Sequence, residues 1–257
     1  MNTIKQGSKG GDVKLLQKYM GVAQDGIWGP KTTETVKKWQ TEHGLIADGI
    51  VGPKTWLKLI ENDIKSSNLT DADYIKVAVE LDVEVAALKA IKEVESGGKA
   101  IINGVPTMLF EGHIFWKQLL ARKIDPRKYV KGNENILYPK WTKAHYTCKN
   151  AGEYARLQKA IKINEAAAYE SASYGMFQIM GNNYQMCGYR NAKEFYMDMC
   201  KSEEKQFYAF VKFIKAKGIV PYLKAKNWAQ VACRYNGTGY KKNNYDVKLA
   251  SAYNKYK

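Results

Sequence analysis

Very little in this chain can hold a metal. The three histidines, His43, His113 and His145, have no ligand spacing to one another or to the cysteines, and Cys148, Cys187, Cys200 and Cys233 form no C-x-x-C pair. No metal and no cofactor are expected. Scattered cysteines of this kind are mostly reduced and buried, although transfer to an oxidising compartment could pair them. Missing too is any apolar run of bilayer length, and Met1-Asn2-Thr3-Ile4-Lys5-Gln6-Gly7 lacks the apolar centre of a signal peptide. The chain is therefore expected to be made in a cytosol, with any export by another route. Acidic charge is scarce: 25 Asp and Glu face 41 Lys and Arg, a net +16, of which residues 1–65 carry only +3. Such a field suits an anionic polymer, and nucleic acid, an anionic membrane face or a bacterial envelope would each satisfy it. What is plentiful is core material. With 45% hydrophobic residues in 257, one full-sized domain and a smaller one can fold.

An internal echo marks the smaller one. Asp25-Gly26-Ile27-Trp28-Gly29-Pro30-Lys31-Thr32 returns as Asp48-Gly49-Ile50-Val51-Gly52-Pro53-Lys54-Thr55, 23 residues later. Each Asp-Gly predicts a turn and each Gly-Pro a helix start, with the Ile and the following Trp or Val expected to dip inwards. Val13, Leu15, Leu16 and Tyr19 mark a helix before the first loop, and Thr35, Val36, Trp39 and Gln40 mark one between the loops. The result is a compact three-helix unit.

The larger domain is organised around Ala90-Ile91-Lys92-Glu93-Val94-Glu95-Ser96-Gly97-Gly98. Val83, Ala87, Ala90, Ile91 and Val94 recur at helical spacing, and Glu95 borders that stripe one turn after Ile91. Gly97 and Gly98 suit a left-handed C-cap, which leaves Glu95 in the last turn, where the helix dipole disfavours negative charge. Dipole and partial burial both favour a carboxyl that keeps its proton and can act as a general acid. Glu93, one turn after Lys89, reads instead as half of a solvated ion pair. Upstream, Thr70-Asp71-Ala72-Asp73 is a short-acid capping box opening the domain.

After this helix, residues 100–110 form two β-prone runs around Asn103-Gly104, a hairpin signal whose second strand runs into Glu111-Gly112-His113. A second carboxylate thus emerges within reach of the first. Glycosidic hydrolysis needs an acid for the leaving oxygen and usually a second carboxylate to activate water or stabilise positive charge on the sugar. Two further stretches, Ser173–Met180 and Arg234–Tyr240, place amides and aromatic rings beside glycine turns and read as groove. Met176, Phe177 and Ile179 are expected in the core, His113 as a packed histidine, and Glu170 as a solvated acid on an Ala-rich helix.

The residues quoted carry two resemblances. Gly7-Ser8-Lys9-Gly10-Gly11, Leu16-Gln17 and the paired Asp-Gly-x-x-Gly-Pro loops closely resemble the peptidoglycan-binding module of bacterial and phage cell-wall enzymes. Val94-Glu95-Ser96-Gly97, Phe110-Glu111-Gly112-His113, Ser173-Tyr174-Gly175-Met176-Phe177-Gln178-Ile179-Met180-Gly181 and Tyr235-Asn236-Gly237 resemble, in that order, the lysozyme superfamily, and most of all the N-acetylmuramidase domain of modular phage endolysins. The resemblance implies a mainly α chain: a three-helix wall-binding domain at 1–62, a linker at 63–69 and an α+β lysozyme-like domain with a small β-hairpin at 70–257. It implies Glu95 as catalytic acid, with Glu111 the candidate second carboxylate and Gln178, Tyr174, Tyr235, Asn236 and Tyr240 as candidate substrate contacts. Hydrolysis of the β-1,4 bond between N-acetylmuramic acid and N-acetylglucosamine is the expected reaction. Bacterial peptidoglycan is the expected partner, with other anionic envelope polymers admissible, no specific nucleic acid, and a monomeric chain acting on the wall after release from the cytoplasm. A lytic transglycosylase, which closes a 1,6-anhydro ring without water, and a non-catalytic wall-binding protein are the alternatives.

Overall fold

A computed structural model describes residues 3–59, 69–95 and 99–257 of the chain. The expected glycine cap at Gly97 and Gly98 and nearly all of the expected linker lie outside the described residues. Along the chain the elements are β1 (Ile4–Lys5), α1 (Gly11–Tyr19), α2 (Pro30–Glu42), β2 (Ile50–Val51), α3 (Pro53–Leu59), α4 (Asp71–Leu81) and α5 (Val85–Glu95). Then follow β3 (Ile101–Ile102), β4 (Val105–Pro106), β5 (Met108–Phe110), α6 (Gly112–Ala121), α7 (Asn150–Ile161), α8 (Glu165–Glu170), β6 (Ala172–Tyr174), β7 (Ile179–Met180), α9 (Ala192–Met199) and α10 (Glu203–Ala216). The last three are α11 (Val220–Lys224), α12 (Trp228–Asn236) and α13 (Tyr245–Tyr256). The chain is mainly helical with a few short antiparallel strand pairs. It divides into two compact units, residues 1–94 with 218–257, and residues 95–217.

In the first unit the sequence echo becomes a duplicated hydrogen-bond circuit. The buried Gln17 amide donates to Asp25 Oδ1 (2.7 Å) and to the Ile27 carbonyl (3.1 Å), while its oxygen accepts from the Gly26 N–H (2.8 Å). Twenty-three residues on, Gln40 does the same with Asp48 (3.1 Å), Ile50 (2.9 Å) and Gly49 (2.9 Å). Each Asp also accepts from the N–H two residues ahead, at 2.8 Å, the expected Asx turn. Trp28 and Val51 fill the core at 1% and 0% exposure, but Ile27 and Ile50 do not dip inwards; they stand 52% and 38% exposed. Extended backbone sends neighbouring side chains to opposite faces, so in each loop only the Trp or Val can enter the core.

The same unit packs α1 against helices from the far end of the sequence. A Cβ built on Gly11 would lie 2.1 Å from the Tyr256 carbonyl oxygen, so only glycine permits this approach. Asp71 accepts from both Lys18 (2.6 Å) and Lys89 (2.8 Å), and the Thr70 N–H and hydroxyl both donate to Asp73 (2.9 and 2.8 Å), the capping arrangement read from the sequence. The expected Lys89–Glu93 pair does not form. With Lys89 drawn to Asp71, Glu93 instead accepts from Lys255 (2.8 Å) and Tyr256 (2.5 Å), tying α5 to α13.

Asp12, in the first turn of α1, has its carboxyl pushed up to about 6, by burial first and then by the Glu84 carboxylate. A raised acid holds its proton in the folded state while the unfolded chain has lost it, so stability falls as pH rises from about 4 to about 6, and above that the buried charge remains as a constant cost. Asp12→Asn is expected to raise the melting temperature relative to wild type at pH 8 and to leave it nearly unchanged at pH 4. Parallel thermal melts check this; equal shifts at both values would remove the assignment.

In the second unit Asn103 and Gly104, both at positive φ (53° and 76°), turn the β3–β4 hairpin with Ile102 opposite Val105. The expected second strand does not run on to Glu111 within that hairpin. It breaks at Thr107, and β5 instead starts a three-stranded sheet, β5-β6-β7, with Met108 opposite Tyr174 and Phe110 opposite Ala172. Glu170, expected in solvent, pairs with Arg122 at 2.7 Å. Among the described residues no helix is long and apolar enough to cross a membrane, and all four cysteines are free thiols.

Candidate active site

Glu95 is the last residue of α5 and half-buried, as the apolar stripe dictates, since Ala87, Ala90 and Ile91 beneath it are buried. The chain returns at Lys99 and Ala100, whose carbonyls accept from the hydroxyl and N–H of Thr107, just ahead of β5. Gln178 stands at the same end of the sheet. It is exposed within an otherwise buried run and adopts a left-handed φ of 45°, unusual for a residue with a side chain. Its amide donates to the carbonyls of Gly175 (2.8 Å) and Thr107 (3.2 Å), and its oxygen accepts from Ser173 (2.9 Å). Strained polar residues fixed in this way recur at ligand sites.

The turn that carries Gln178 is held from below by Gln206 of α10. This buried amide accepts from the Met176 N–H (2.7 Å) and donates to the carbonyls of Met199 (2.8 Å) and Ala100 (3.2 Å). A Cβ on Gly175, at φ 72°, would sit 2.5 Å from the Gln206 oxygen, so the turn needs glycine on two counts. One side chain thereby ties the segment that follows Glu95 to the Gln178 turn.

Glu111 lies at the opposite end of β5, four residues past Thr107, roughly 13 Å along an extended strand. It is the N-cap position of α6, with its N–H donated to Ser171 (2.8 Å). The carboxylate is 14% exposed and both its oxygens lie within hydrogen-bond range of the Tyr146 hydroxyl (2.8 and 2.9 Å). His113 Nδ1 approaches to 3.2 Å without a hydrogen-bonding angle. Burial holds the His113 imidazole below its usual range despite the Glu111 carboxylate, so near neutral pH it brings no positive charge to the acid. Burial, and then Glu111, hold the Tyr146 phenol well above its usual range; it stays a donor.

Behind Glu111 stands an ion pair that the sequence reading missed. Glu153 and Arg156 on α7 meet at 2.7 Å with side chains 3% and 2% exposed. Glu153 accepts from the Phe110 N–H (3.0 Å) and from Thr147 (2.8 and 2.9 Å), while Arg156 donates to the Phe110 carbonyl (2.9 Å) and to the Tyr138 hydroxyl (3.2 Å). Tyr138 in turn accepts from the Gly112 N–H (3.2 Å). The peptide groups on either side of Glu111 are thus clamped by charged or polar side chains. Only the i,i+3 spacing of opposite charges signals the pair in the sequence, and that spacing usually means a solvated pair.

Residues 84–257 match the N-acetylmuramidase family, over more than half of the chain. The chain belongs to that family. Residues 9–59 match a peptidoglycan binding domain, so a wall-binding module precedes the muramidase domain, and peptidoglycan is what the protein degrades. The crystal structure of the Burkholderia AP3 phage endolysin is similar at 38% identity and a TM-score of 0.67, covering 99% of either chain. No curated protein matches the sequence. Of the candidate contacts in this muramidase, Tyr174 is corrected: it is 1% exposed, its hydroxyl donates to the Tyr169 carbonyl (2.9 Å), and its ring packs on Phe195 and Tyr196. Alternation along β6 turns it into the core. Tyr235 and Asn236 close α12 and Tyr240 lies in the following 3₁₀ turn, all three half-buried in the first unit.

Proposed function

We propose that the chain is an endolysin that hydrolyses the β-1,4 bond between N-acetylmuramic acid and N-acetylglucosamine, with Glu95 as general acid and Glu111 as the second carboxylate. The observation that carries this reading is Glu95 itself: within the span matching the muramidase family, a half-buried acid ends an amphipathic helix, where the helix dipole favours the protonated form. Glu95 then protonates the leaving glycosidic oxygen. Glu111, which accepts from the Tyr146 hydroxyl, orients water or stabilises the oxocarbenium-like sugar. Gln178 contacts the glycan in the unit that holds Glu95, and Tyr235, Asn236 and Tyr240 are the candidate glycan contacts of the first unit. Synthesis in a host cytoplasm and action on the wall after release complete the proposal. Mass spectrometry of digested sacculi tests the reaction: reducing muramic acid ends are expected, and 1,6-anhydro ends would replace hydrolysis by transglycosylation.

The role of Glu111 has its own test. Glu111→Gln is expected to lower turnover by about 10²-fold, at the lower end of what a positioned acid or base supplies, while the melting temperature moves little. The reverse pattern, with a fallen melting temperature and unchanged turnover per folded molecule, would make Glu111 a structural cap for the strand end.

A further inference from the structure

The two loops of the 23-residue echo each border a pocket. One, of about 580 Å³, is lined from Gln40 to Thr55, and the other, of about 410 Å³, from Gln17 to Thr35. Each of the ten residues lining the larger has its counterpart 23 positions earlier in the lining of the smaller. Duplication of the fold has therefore duplicated a cavity, floor and rim alike. The floor is the buried glutamine of the hydrogen-bond circuit, and the rim includes the isoleucine that the loop leaves exposed, Ile27 or Ile50. Each pocket also presents one carboxylate, Asp25 or Asp48, and one exposed lysine, Lys31 or Lys54, neither of which has an ion-pair partner among the described residues. No aromatic ring lines either pocket, so neither offers the flat face on which a sugar ring stacks.

We infer that the module is bivalent: each pocket takes one alanyl stem peptide of peptidoglycan, its methyl groups against the isoleucine wall and its carboxylate towards the lysine. This rests on the reading of residues 9–59 as a wall-binding module. Small apolar side chains, a free carboxylate and an amine on a diamino residue are the chemistry that such a stem offers, and an apolar cleft with a few polar groups is the form such sites take. The two linings differ at two paired positions. Val22 and Ala23 of the smaller, which Thr35 also lines, are Leu45 and Ile46 in the larger, Ile46 being 83% exposed, so the larger pocket binds the peptide more tightly. Stems recur along the polymer, so a chain held in one pocket presents a second stem to the other at high effective concentration. Such linkage multiplies affinity by about 10² to 10⁴ without any new contact.

Ala23 and Ile46 are both exposed, so an aspartate at either blocks its pocket without disturbing the core. Titration calorimetry of the full-length Glu95→Gln variant with a synthetic uncrosslinked stem pentapeptide is expected to show two equivalents bound, one after Ala23→Asp or Ile46→Asp, and none after both. Sacculus binding is expected to weaken about 10²-fold or more in each single variant. Lys31→Met and Lys54→Met, which leave the walls intact, are expected to weaken the same site selectively and to reduce its salt dependence. One equivalent in the parent protein, or a stoichiometry indifferent to these changes, overturns bivalency. Release from sacculi by peptide-free glycan strands, but not by the stem peptide, overturns the ligand class. Failure to bind sacculi at all counts against the module reading itself, whereas the identity of the catalytic acid has no bearing on these counts.

Discussion

Glu95→Gln is expected to reduce lysis of purified sacculi by about 10² to 10⁴-fold while leaving wall binding unchanged, because the amide keeps the shape of the acid and cannot give up a proton. The loss falls on turnover. Binding is carried by a module whose pockets lie among residues 17–55, far along the chain from Glu95. Turbidity decay and a sedimentation assay on the same preparation separate the two quantities. Lysis within a few-fold of wild type would remove Glu95 from the mechanism. Glu93→Gln, two residues away on the same helix, is the useful comparison, although it is not inert: it weakens the contacts of Glu93 with Lys255 and Tyr256. A modest drop in melting temperature with retained turnover is the outcome expected for it.

Arg156→Met is expected to be the most destabilising single change in the second unit. It leaves Glu153 charged and buried with its strongest partner gone, and it strips donors from Phe110, Tyr138 and Asn135. Breaking a buried ion pair by removing one partner costs about 3 to 5 kcal/mol. At this chain size that corresponds to a fall in melting temperature on the order of 10 °C. Arg156→Lys keeps the charge but not the planar fork that reaches several acceptors at once, and falls in between. Adding Glu153→Gln to Arg156→Met removes the stranded charge and is expected to recover part of the loss, which a double-mutant cycle measures directly. A melting temperature within about 2 °C of wild type after Arg156→Met would show that the clamp on the peptides around Glu111 carries no stability.

Much of this was legible in the sequence where local chemistry decides the outcome. The stripe ending at Glu95, the Asn103-Gly104 turn and the Asp-Gly turns and Gly-Pro helix starts of the 23-residue echo are each fixed by side chains a few positions apart, and each forms as read. Where pairing is distant, the reading failed. Nothing near Met108–Phe110 says that its partner is Ala172–Tyr174, more than 60 residues on, so local signals alone extend the hairpin to Glu111 and put Tyr174 in the groove. Strand alternation sends Tyr174 inwards, and the same rule sends Ile27 and Ile50 outwards against expectation. The Lys89–Glu93 pair failed for a related reason, since a helix spacing permits a pair and only the fold shows that Asp71 and Lys255 compete for its members. The buried Glu153–Arg156 pair is the sharpest case: spacing reports neighbours on a helix, and burial is set by everything packed above it.

The interleaving of the first unit has a consequence for biosynthesis. Residues 95–217 form a continuous segment and can pack as soon as they leave the ribosome, but residues 1–94 lack α11, α12 and α13 until 218–257 have followed. Domains ordinarily fold in the order in which they are made. Here the earliest part waits longest, because α1 closes on Tyr256 through Gly11, and α5 is anchored at Glu93 by Lys255 and Tyr256. A translation product that stalls before residue 218 therefore holds α5 without the contacts that Lys255 and Tyr256 make to Glu93.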